Sequence, residues 1–130
     1  MKKILTSFWP ALLWTILIFV LLGVDNEKVP EMGLFNFQHK DKFYHFVVFL
    51  VFAFLWYCLL LHRFRIEPAY LTLLLILIGA VYGMGMEVFQ QAFTNRQFSW
   101  WDGLADVLGT LAGVVWAKKS PYGNRGRNQN

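Results

Sequence analysis

Four apolar runs, each close to the length of a membrane-crossing helix, dominate the sequence. They lie near residues 4–24, 41–61, 70–91 and 101–117. A helix rises about 1.5 Å per residue, so roughly 20 residues cross a hydrocarbon core of about 30 Å. Backbone polar groups find no water inside a bilayer, so each run has to satisfy its hydrogen bonds as a helix. The sequence therefore predicts an all-α polytopic membrane protein, a bundle of four transmembrane helices.

The composition favours the same class. Hydrophobic residues make up 57% of the chain and charged residues only 15%, whereas soluble domains carry about 25% charged residues. The single cysteine, Cys58, lies inside an apolar run, which excludes an intrachain disulfide and a thiolate metal cluster. The net charge of +4 is distributed over the ends of the runs. We therefore expect no nucleic-acid partner.

The chain is predicted to contain one domain, residues 1–117. The first run is followed by no Ala-x-Ala-like cleavage site, so we expect an uncleaved span with a modest kink at Pro10. The polar segment 25–40 is predicted to be a loop. Residues 118–130 are rich in Gly, Asn and Arg, and this composition predicts a disordered basic tail.

The basic residues predict the orientation of the chain. With four spans, the N-terminus, the 62–69 loop and the tail lie on one side, which carries eight Lys and Arg residues. The opposite side carries four, Lys28, Lys40, Lys42 and Arg96. Because the more basic side of a membrane protein faces the cytoplasm, we predict cytoplasmic N- and C-termini and a location in the bacterial inner (cytoplasmic) membrane.

Three predicted spans carry ionisable residues near the same membrane face. The second span starts there, the third ends there and the fourth starts there, so His45, Glu87 and Asp106 lie at matching depths, about one helical turn inward. Charges at such positions are energetically costly and commonly functional. We therefore expect a polar cleft that is open to the outer face. Its predicted substrate-binding residues are Asp41, Lys42, His45, Glu87, Gln90, Arg96, Ser99, Asp102 and Asp106.

These residue types suit two kinds of chemistry. An imidazole beside carboxylates can transfer protons, which makes His45, Glu87 and Asp102 the candidate catalytic residues. Carboxylate oxygens are the ligands that Mg²⁺ prefers, which makes Glu87, Asp102 and Asp106 the candidate ligands of a divalent cation such as Mg²⁺. Arg96, with Lys42, would contact a phosphate or carboxylate.

Each candidate also has a structural alternative. Ser99 has the position of an N-cap in a capping box at the start of the fourth span. Asp41 has the position of an N-cap too, or it fixes the tautomer of His45 four residues later. Glu87 pairs with Arg96 or Lys42 in the structural alternative, which treats the charges as an ion-pair network that holds the hairpin together. The sequence leaves both alternatives open.

Two small-residue patterns predict close helix packing. Gly79-x-x-x-Gly83 lies on the third span and Gly109-x-x-x-Gly113 on the fourth. Small residues at this spacing let helix backbones approach in membranes. We therefore expect the third and fourth spans to form a tight antiparallel hairpin. Aromatic residues near its turn are predicted to lie at the lipid headgroup level; they are Phe98, Trp100 and Trp101.

Four motifs occur in order over residues 41–113. They are Asp41-Lys42-x-x-His45 at the start of a span, Tyr82-Gly83-x-x-x-Glu87-x-x-Gln90, Arg96-x-x-Ser99-x-x-Asp102, and Gly109-x-x-x-Gly113. In order and spacing they resemble the VanZ-like family of small bacterial integral membrane proteins. The chain departs from the family at Asp106, where the family usually shows Asn.

The resemblance implies a VanZ-like transmembrane domain that acts at the cell envelope. The family's named member is linked to resistance to the glycopeptide antibiotic teicoplanin. The expected partner is a membrane lipid or a lipid-linked envelope precursor, whose headgroup would enter the cleft. Two alternatives remain open at this point: a membrane enzyme that performs phosphoryl or acyl transfer on a lipid headgroup, and a small proton-coupled transporter that works as a homo-oligomer.

Overall fold

The computed structural model describes residues 1–24 and 40–123. Most of the predicted loop, residues 25–39, and the last part of the predicted tail, residues 124–130, lie outside the described residues. Within the described ranges the chain is all-α, which confirms the predicted class. The helices are α1 (Lys2–Leu5), α2 (Phe8–Gly23), α3 (Lys40–Arg63), α4 (Pro68–Phe93) and α5 (Trp100–Lys119).

The first apolar run is interrupted near its start. Helix α1 ends at Leu5 and α2 begins at Phe8, with Ser7 in extended backbone as the N-cap of α2. Pro10 explains the break, because a proline has no N–H to donate and its ring crowds the carbonyl group four residues earlier, here that of Thr6. The predicted single span with a modest kink is therefore divided into a short turn of helix and a 16-residue helix.

Helices α3 and α4 are separated by a short connection that local chemistry specifies. Pro68 occupies the first turn of α4, and Glu67 caps that helix by accepting a hydrogen bond from the Tyr70 N–H at 3.3 Å. Proline is favoured in the first turn of a helix because a backbone N–H at that position would have no partner within the helix. Among the described helices, α3 and α4 are the two that are long and apolar enough to cross a membrane.

Helix α5 packs most extensively against α3, and glycines make this close approach possible. A Cβ atom added at Gly109 would collide with the carbonyl oxygen of Phe46, and one added at Gly113 would collide with that of Leu50. The prediction that this glycine pair serves the contact between the third and fourth spans is therefore wrong. The pair instead lies against the backbone of α3.

The glycines of α4 do face α5, as the small-residue pattern predicts. An added Cβ at Gly79 would collide with the Thr110 side chain, and one at Gly83 would lie 2.5 Å from Asp106 Oδ2. Both facing side chains are fully buried. Gly83 thus provides the space that the Asp106 carboxylate occupies, and α5 packs against both α3 and α4.

Hydrogen bonds attach α2 to α3 and α4. Trp14 Nε1 donates to the Val48 carbonyl at 2.8 Å, and Tyr82 Oη donates to the Thr15 carbonyl at 2.8 Å. Trp56 Nε1 donates to Thr15 Oγ1 at 3.0 Å. These bonds satisfy polar atoms that lie among apolar side chains. The buried apolar core of the bundle includes Ile18, Phe49, Phe52, Tyr57, Leu71, Leu75 and Val114.

The predicted tail begins later than expected. Helix α5 continues to Lys119, and Ser120 ends it with a hydrogen bond from its Oγ to the Ala117 carbonyl at 2.7 Å. Tyr122 then packs against the hydrophobic core. Residues 118–123 are therefore part of the folded domain.

The close α3–α5 contact predicts opposite effects for two glycine substitutions. Gly113→Ala places a methyl group against the α3 backbone, so we expect a loss of about 1–3 kcal/mol in stability. The matched control is Gly85→Ala in α4, where an added Cβ meets nothing within 4 Å; this change should stabilise the helix by about 0.5–1 kcal/mol. Thermal unfolding of the purified variants in detergent measures both effects. Equal melting temperatures for the two variants would contradict the packing.

Candidate functional site

Three helices bring four ionisable side chains together near one end of the bundle. His45 comes from α3, Glu87 from α4, and Asp102 and Asp106 from α5. Their exposed fractions are 1%, 1%, 4% and 0%, respectively. We call these four residues the polar cluster. The sequence predicts that these three helices bring their ionisable side chains together, and the contacts described below confirm it.

The imidazole ring of His45 lies between two carboxylates. Its Nδ1 is 2.8 Å from Asp106 Oδ1, and its Nε2 is 3.7 Å from Glu87 Oε1. When the Asp106 oxygen accepts this hydrogen bond, Nδ1 carries the proton and the lone pair of a neutral ring lies on Nε2. Asp106 thus takes the tautomer-fixing position that the sequence analysis allowed for Asp41.

Glu87 is connected to the start of α5. Its Oε2 accepts a hydrogen bond from the Ser99 N–H at 3.0 Å, while Ser99 Oγ accepts one from the Asp102 N–H at 3.3 Å. The N-cap role of Ser99 is therefore confirmed. In a capping box the acidic residue three positions later would bind the Ser99 N–H, but here Glu87 does so. The carboxylate of Asp102 is consequently available for other partners.

Three charged side chains lie next to Asp102 on its more exposed side. We call these residues, Asp41, Lys42 and Arg96, the charged rim. Lys42 Nζ is 3.4 Å from Asp102 Oδ1, and Arg96 Nη2 is 3.9 Å from Asp102 Oδ2. Arg96 also lies 3.6 Å from Asp41 Oδ2. The side chains of Lys42 and Asp41 are 40% and 42% exposed, so the burial of charged groups increases from the rim to the polar cluster. Both basic side chains face carboxylates of the protein itself.

Two predicted site residues have positions that differ from expectation. Asp41 lies inside the first turn of α3, which begins at Lys40, so the N-cap alternative for Asp41 is wrong. Gln90 points away from the polar cluster, because its Nε2 donates a 2.6 Å hydrogen bond to the Leu22 carbonyl at the end of α2. Gln90 therefore connects two helices instead of lining the cleft.

Polar atoms without a hydrogen-bond partner are concentrated in the polar cluster, although Asp102 Oδ1 lies 3.4 Å from Lys42 Nζ and His45 Nε2 lies 3.7 Å from Glu87 Oε1. Within the described residues, every buried side-chain nitrogen or oxygen without a hydrogen-bond partner belongs to it. Buried polar atoms are almost always hydrogen-bonded, and leaving one unpaired costs about 1–3 kcal/mol. A group that offers hydrogen bonds or opposite charge could satisfy these atoms. The atoms are His45 Nε2, Glu87 Oε1, Asp102 Oδ1 and Asp106 Oδ2.

Three of these residues have the spacing of metal ligands. One ligand atom each from His45, Glu87 and Asp102 lies within 4.8 Å of the other two. Glu87, Asp102 and Asp106 are the ligands that the sequence predicts, but the Asp106 carboxylate lies behind the imidazole and contacts Nδ1. The sequence did not indicate His45 as a candidate metal ligand, since helical spacing does not determine which ring nitrogen faces which carboxylate.

No family model, curated protein or solved structure matches this chain. The resemblance to the VanZ-like family stays a prediction.

The contact between His45 and Asp106 predicts different outcomes for two substitutions. Asp106→Asn retains an oxygen that accepts the Nδ1 proton, so we expect the fold and the His45 tautomer to persist. Asp106→Leu removes the acceptor and leaves Nδ1 unpaired, at a cost of about 1–3 kcal/mol. Nitrogen NMR of EDTA-treated, ¹⁵N-histidine-labelled protein measures the tautomer, with His45→Gln used to assign the signal. An unchanged tautomer in Asp106→Leu would show that Asp106 does not control the ring.

Proposed function

We propose that this chain is an integral membrane protein of the bacterial cytoplasmic membrane with four spans and cytoplasmic termini. The lengths of α3 and α4 support the proposal, at 24 and 26 residues. Helix α5 has 20 residues, which correspond to roughly 30 Å of helix. Helices α1 and α2 together cover the first apolar run.

The surface of the bundle has the composition expected beside lipid. Large apolar side chains are exposed along α2 and α4, where a protein in water would rarely expose so continuous an apolar surface. Aromatic residues of the kind that favours membrane interfaces are exposed at both ends of the bundle. Exposed examples are Leu13, Ile16, Leu73, Leu77 and Val81 along the helices, with Trp9 and Tyr70 at one end and Trp100 and Trp101 at the other.

Accessibility of introduced cysteines tests the topology. In a Cys58→Ala background we expect Gln97→Cys, in the exposed turn before α5, to react with a membrane-impermeant maleimide on intact cells. Ala69→Cys, at the opposite end of α4, should react only after permeabilisation. Neither substitution changes the charge of a loop, so the positive-inside preference is preserved. Labelling of both cysteines from the same side of the membrane would contradict the four-span arrangement.

The proposed role of the polar cluster is to engage the headgroup of an envelope lipid or of a lipid-linked cell-wall precursor. The observation that carries this proposal is the set of four buried polar atoms without a hydrogen-bond partner beneath the charged rim. An amphipathic ligand fits this position, since its headgroup would satisfy those atoms while its hydrocarbon chain follows the apolar helix surface. Sequestration of such a precursor is consistent with the glycopeptide resistance that the VanZ-like resemblance implies.

The charges favour a particular kind of headgroup. Four carboxylates and two basic side chains lie in the polar cluster and its rim, which gives a formal charge of −2 when His45 is neutral. Lys42 and Arg96 already face carboxylates, so a bare phosphate would have to displace those partners. The site therefore favours an amine, a hydrogen-bond donor, or an anion that arrives with a cation.

One observation also favours the enzyme alternative. His45 Nε2 has no hydrogen-bond partner, and Asp106 contacts the ring from the opposite side, as in sites where a histidine acts as a general base. The reaction class would be phosphoryl or acyl transfer on the same headgroup. Among the described residues the buried histidine and carboxylic acid side chains all lie at this end of the bundle, so the transporter alternative has no comparable support.

Native mass spectrometry of protein released from bacterial membranes tests the binding proposal. We expect an envelope lipid to co-purify with the wild type and to fall at least tenfold in Glu87→Gln, because one unpartnered acceptor loses its charge. Glu67→Gln is the matched control, since it makes the same change at the opposite end of α4, and it should retain the lipid. Asp102→Asn provides a second variant if Glu87→Gln is unstable.

The result separates the alternatives. Equal lipid retention in wild type, Glu87→Gln and Asp102→Asn would contradict the proposed binding site. A co-purified lipid whose headgroup mass changes during incubation with wild type, but not with His45→Gln, would favour the enzyme. Unchanged lipid mass in both proteins would favour binding without catalysis.

A further inference from the structure

We propose that the polar cluster binds a divalent first-row transition metal ion through His45 Nε2 and one carboxylate oxygen each from Glu87 and Asp102. The candidate ligand atoms come from three different helices, and their positions are determined by the packing of α3, α4 and α5. The metal site itself does not depend on the proposed lipid ligand. It adds a cofactor to the same end of the bundle.

The distances fit a shared ion after small side-chain movements. Two ligands at about 2.0–2.2 Å from one tetrahedral metal ion lie roughly 3.3–3.6 Å apart. His45 Nε2 and Glu87 Oε1 are 3.7 Å apart, and the full set of three atoms lies within 4.8 Å. A side-chain movement of Asp102, which lies nearest the exposed rim, would have to close the remaining difference.

Asp106 orients the histidine for this role. A metal-binding imidazole usually donates its other N–H to a carboxylate or carbonyl, which fixes the tautomer and increases the basicity of the ligating nitrogen. The 2.8 Å contact between His45 Nδ1 and Asp106 Oδ1 has this arrangement. Because Nδ1 is occupied, Nε2 is the nitrogen that remains for a ligand, and it faces Glu87.

Burial supports a bound cation at this place. His45 and Glu87 are each 1% exposed, and neither Nε2 nor Oε1 has a hydrogen-bond partner. Isolated buried charges are very unfavourable unless they are paired or coordinate a metal. A dication would partner three of the four unpaired atoms and would neutralise the formal charge of −2 in the polar cluster and its rim.

The donor set indicates the class of metal. Imidazole suits zinc and iron, while carboxylates also suit manganese and magnesium. One nitrogen and two oxygens therefore favour Zn²⁺, Mn²⁺ or Fe²⁺ over Mg²⁺, which prefers oxygen ligands and retains several waters. Three protein ligands leave a coordination position for a water molecule or a ligand oxygen. Through that position the ion would let the acidic site accept an anionic headgroup, a consequence that does depend on the proposed function.

Metal titration of the full-length protein tests the inference. EDTA-treated, desalted protein in detergent is titrated separately with Zn²⁺, Mn²⁺ and Mg²⁺ in a calorimeter, and bound metal is counted by elemental mass spectrometry. We expect one Zn²⁺ or Mn²⁺ per chain and at least tenfold weaker binding of Mg²⁺. Bound metal should also raise the melting temperature of the wild type, since it binds the folded state.

Variants assign the binding to the polar cluster. His45→Gln and Glu87→Gln should each weaken Zn²⁺ binding at least 100-fold. Asp106→Asn retains an oxygen behind the ring but loses its charge, so we expect a loss of about tenfold to 100-fold. His62→Gln is the matched control, because His62 also lies on α3 but contacts the Cys58 carbonyl at the opposite end of that helix. The His62→Gln protein should bind Zn²⁺ as tightly as the wild type.

Two outcomes would overturn the inference. One is folded wild-type protein that binds none of the three ions and shows no metal-dependent rise in melting temperature, a result that needs no variant. The other is His45→Gln protein that binds Zn²⁺ as tightly as wild type. Since no envelope lipid is present in this titration, failure of the metal site is distinguishable from failure of lipid capture, which is measured on protein released from membranes.

Discussion

Ionisable groups that are removed from water need hydrogen-bonding or oppositely charged partners, and the packing of this bundle depends on that requirement. The polar cluster places one imidazole and three carboxylates among apolar helices, where unpaired charges are very unfavourable. The contact between His45 and Asp106 satisfies part of this requirement and joins α3 to α5. The contact between Glu87 and the Ser99 N–H satisfies another part and joins α4 to α5. The same interactions therefore hold the bundle together and shape the site.

The positions of two glycines determine how closely the three helices approach one another, and therefore how deeply the polar cluster is buried. Gly109 allows α5 to approach the backbone of α3, and Gly83 of α4 leaves the space that the Asp106 side chain fills. With larger residues at these positions, the three helices would separate and His45 would lose its short contact with Asp106. Close packing along α5 is thus a condition for the geometry of the polar cluster.

The arrangement combines a nearly neutral rim with an acidic interior. Lys42 and Arg96 at the rim face carboxylates, while the interior retains polar atoms without partners. A structural ion-pair network would be expected to pair its most buried atoms first, because desolvation is most costly there. Here one buried pair, His45 Nδ1 and Asp106 Oδ1, is hydrogen-bonded at 2.8 Å, while His45 Nε2 and Glu87 Oε1 lie 3.7 Å apart and have no hydrogen-bond partner. The proposed cation would bind these last two atoms.

The sequence alone determined the helical class, since a helix is the structure that satisfies the backbone hydrogen bonds of apolar runs of this length. It also determined the end of the bundle where the ionisable residues meet, because span order and helical spacing set their depth. Tertiary structure decided which atoms face each other: Asp106 contacts His45, Gln90 binds the end of α2, and Gly113 packs against α3. Spacing along one helix gives the depth and relative face of a residue. The rotation of that helix about its own axis determines which residue of a neighbouring helix it contacts. This rotation is set only when all the helices pack together.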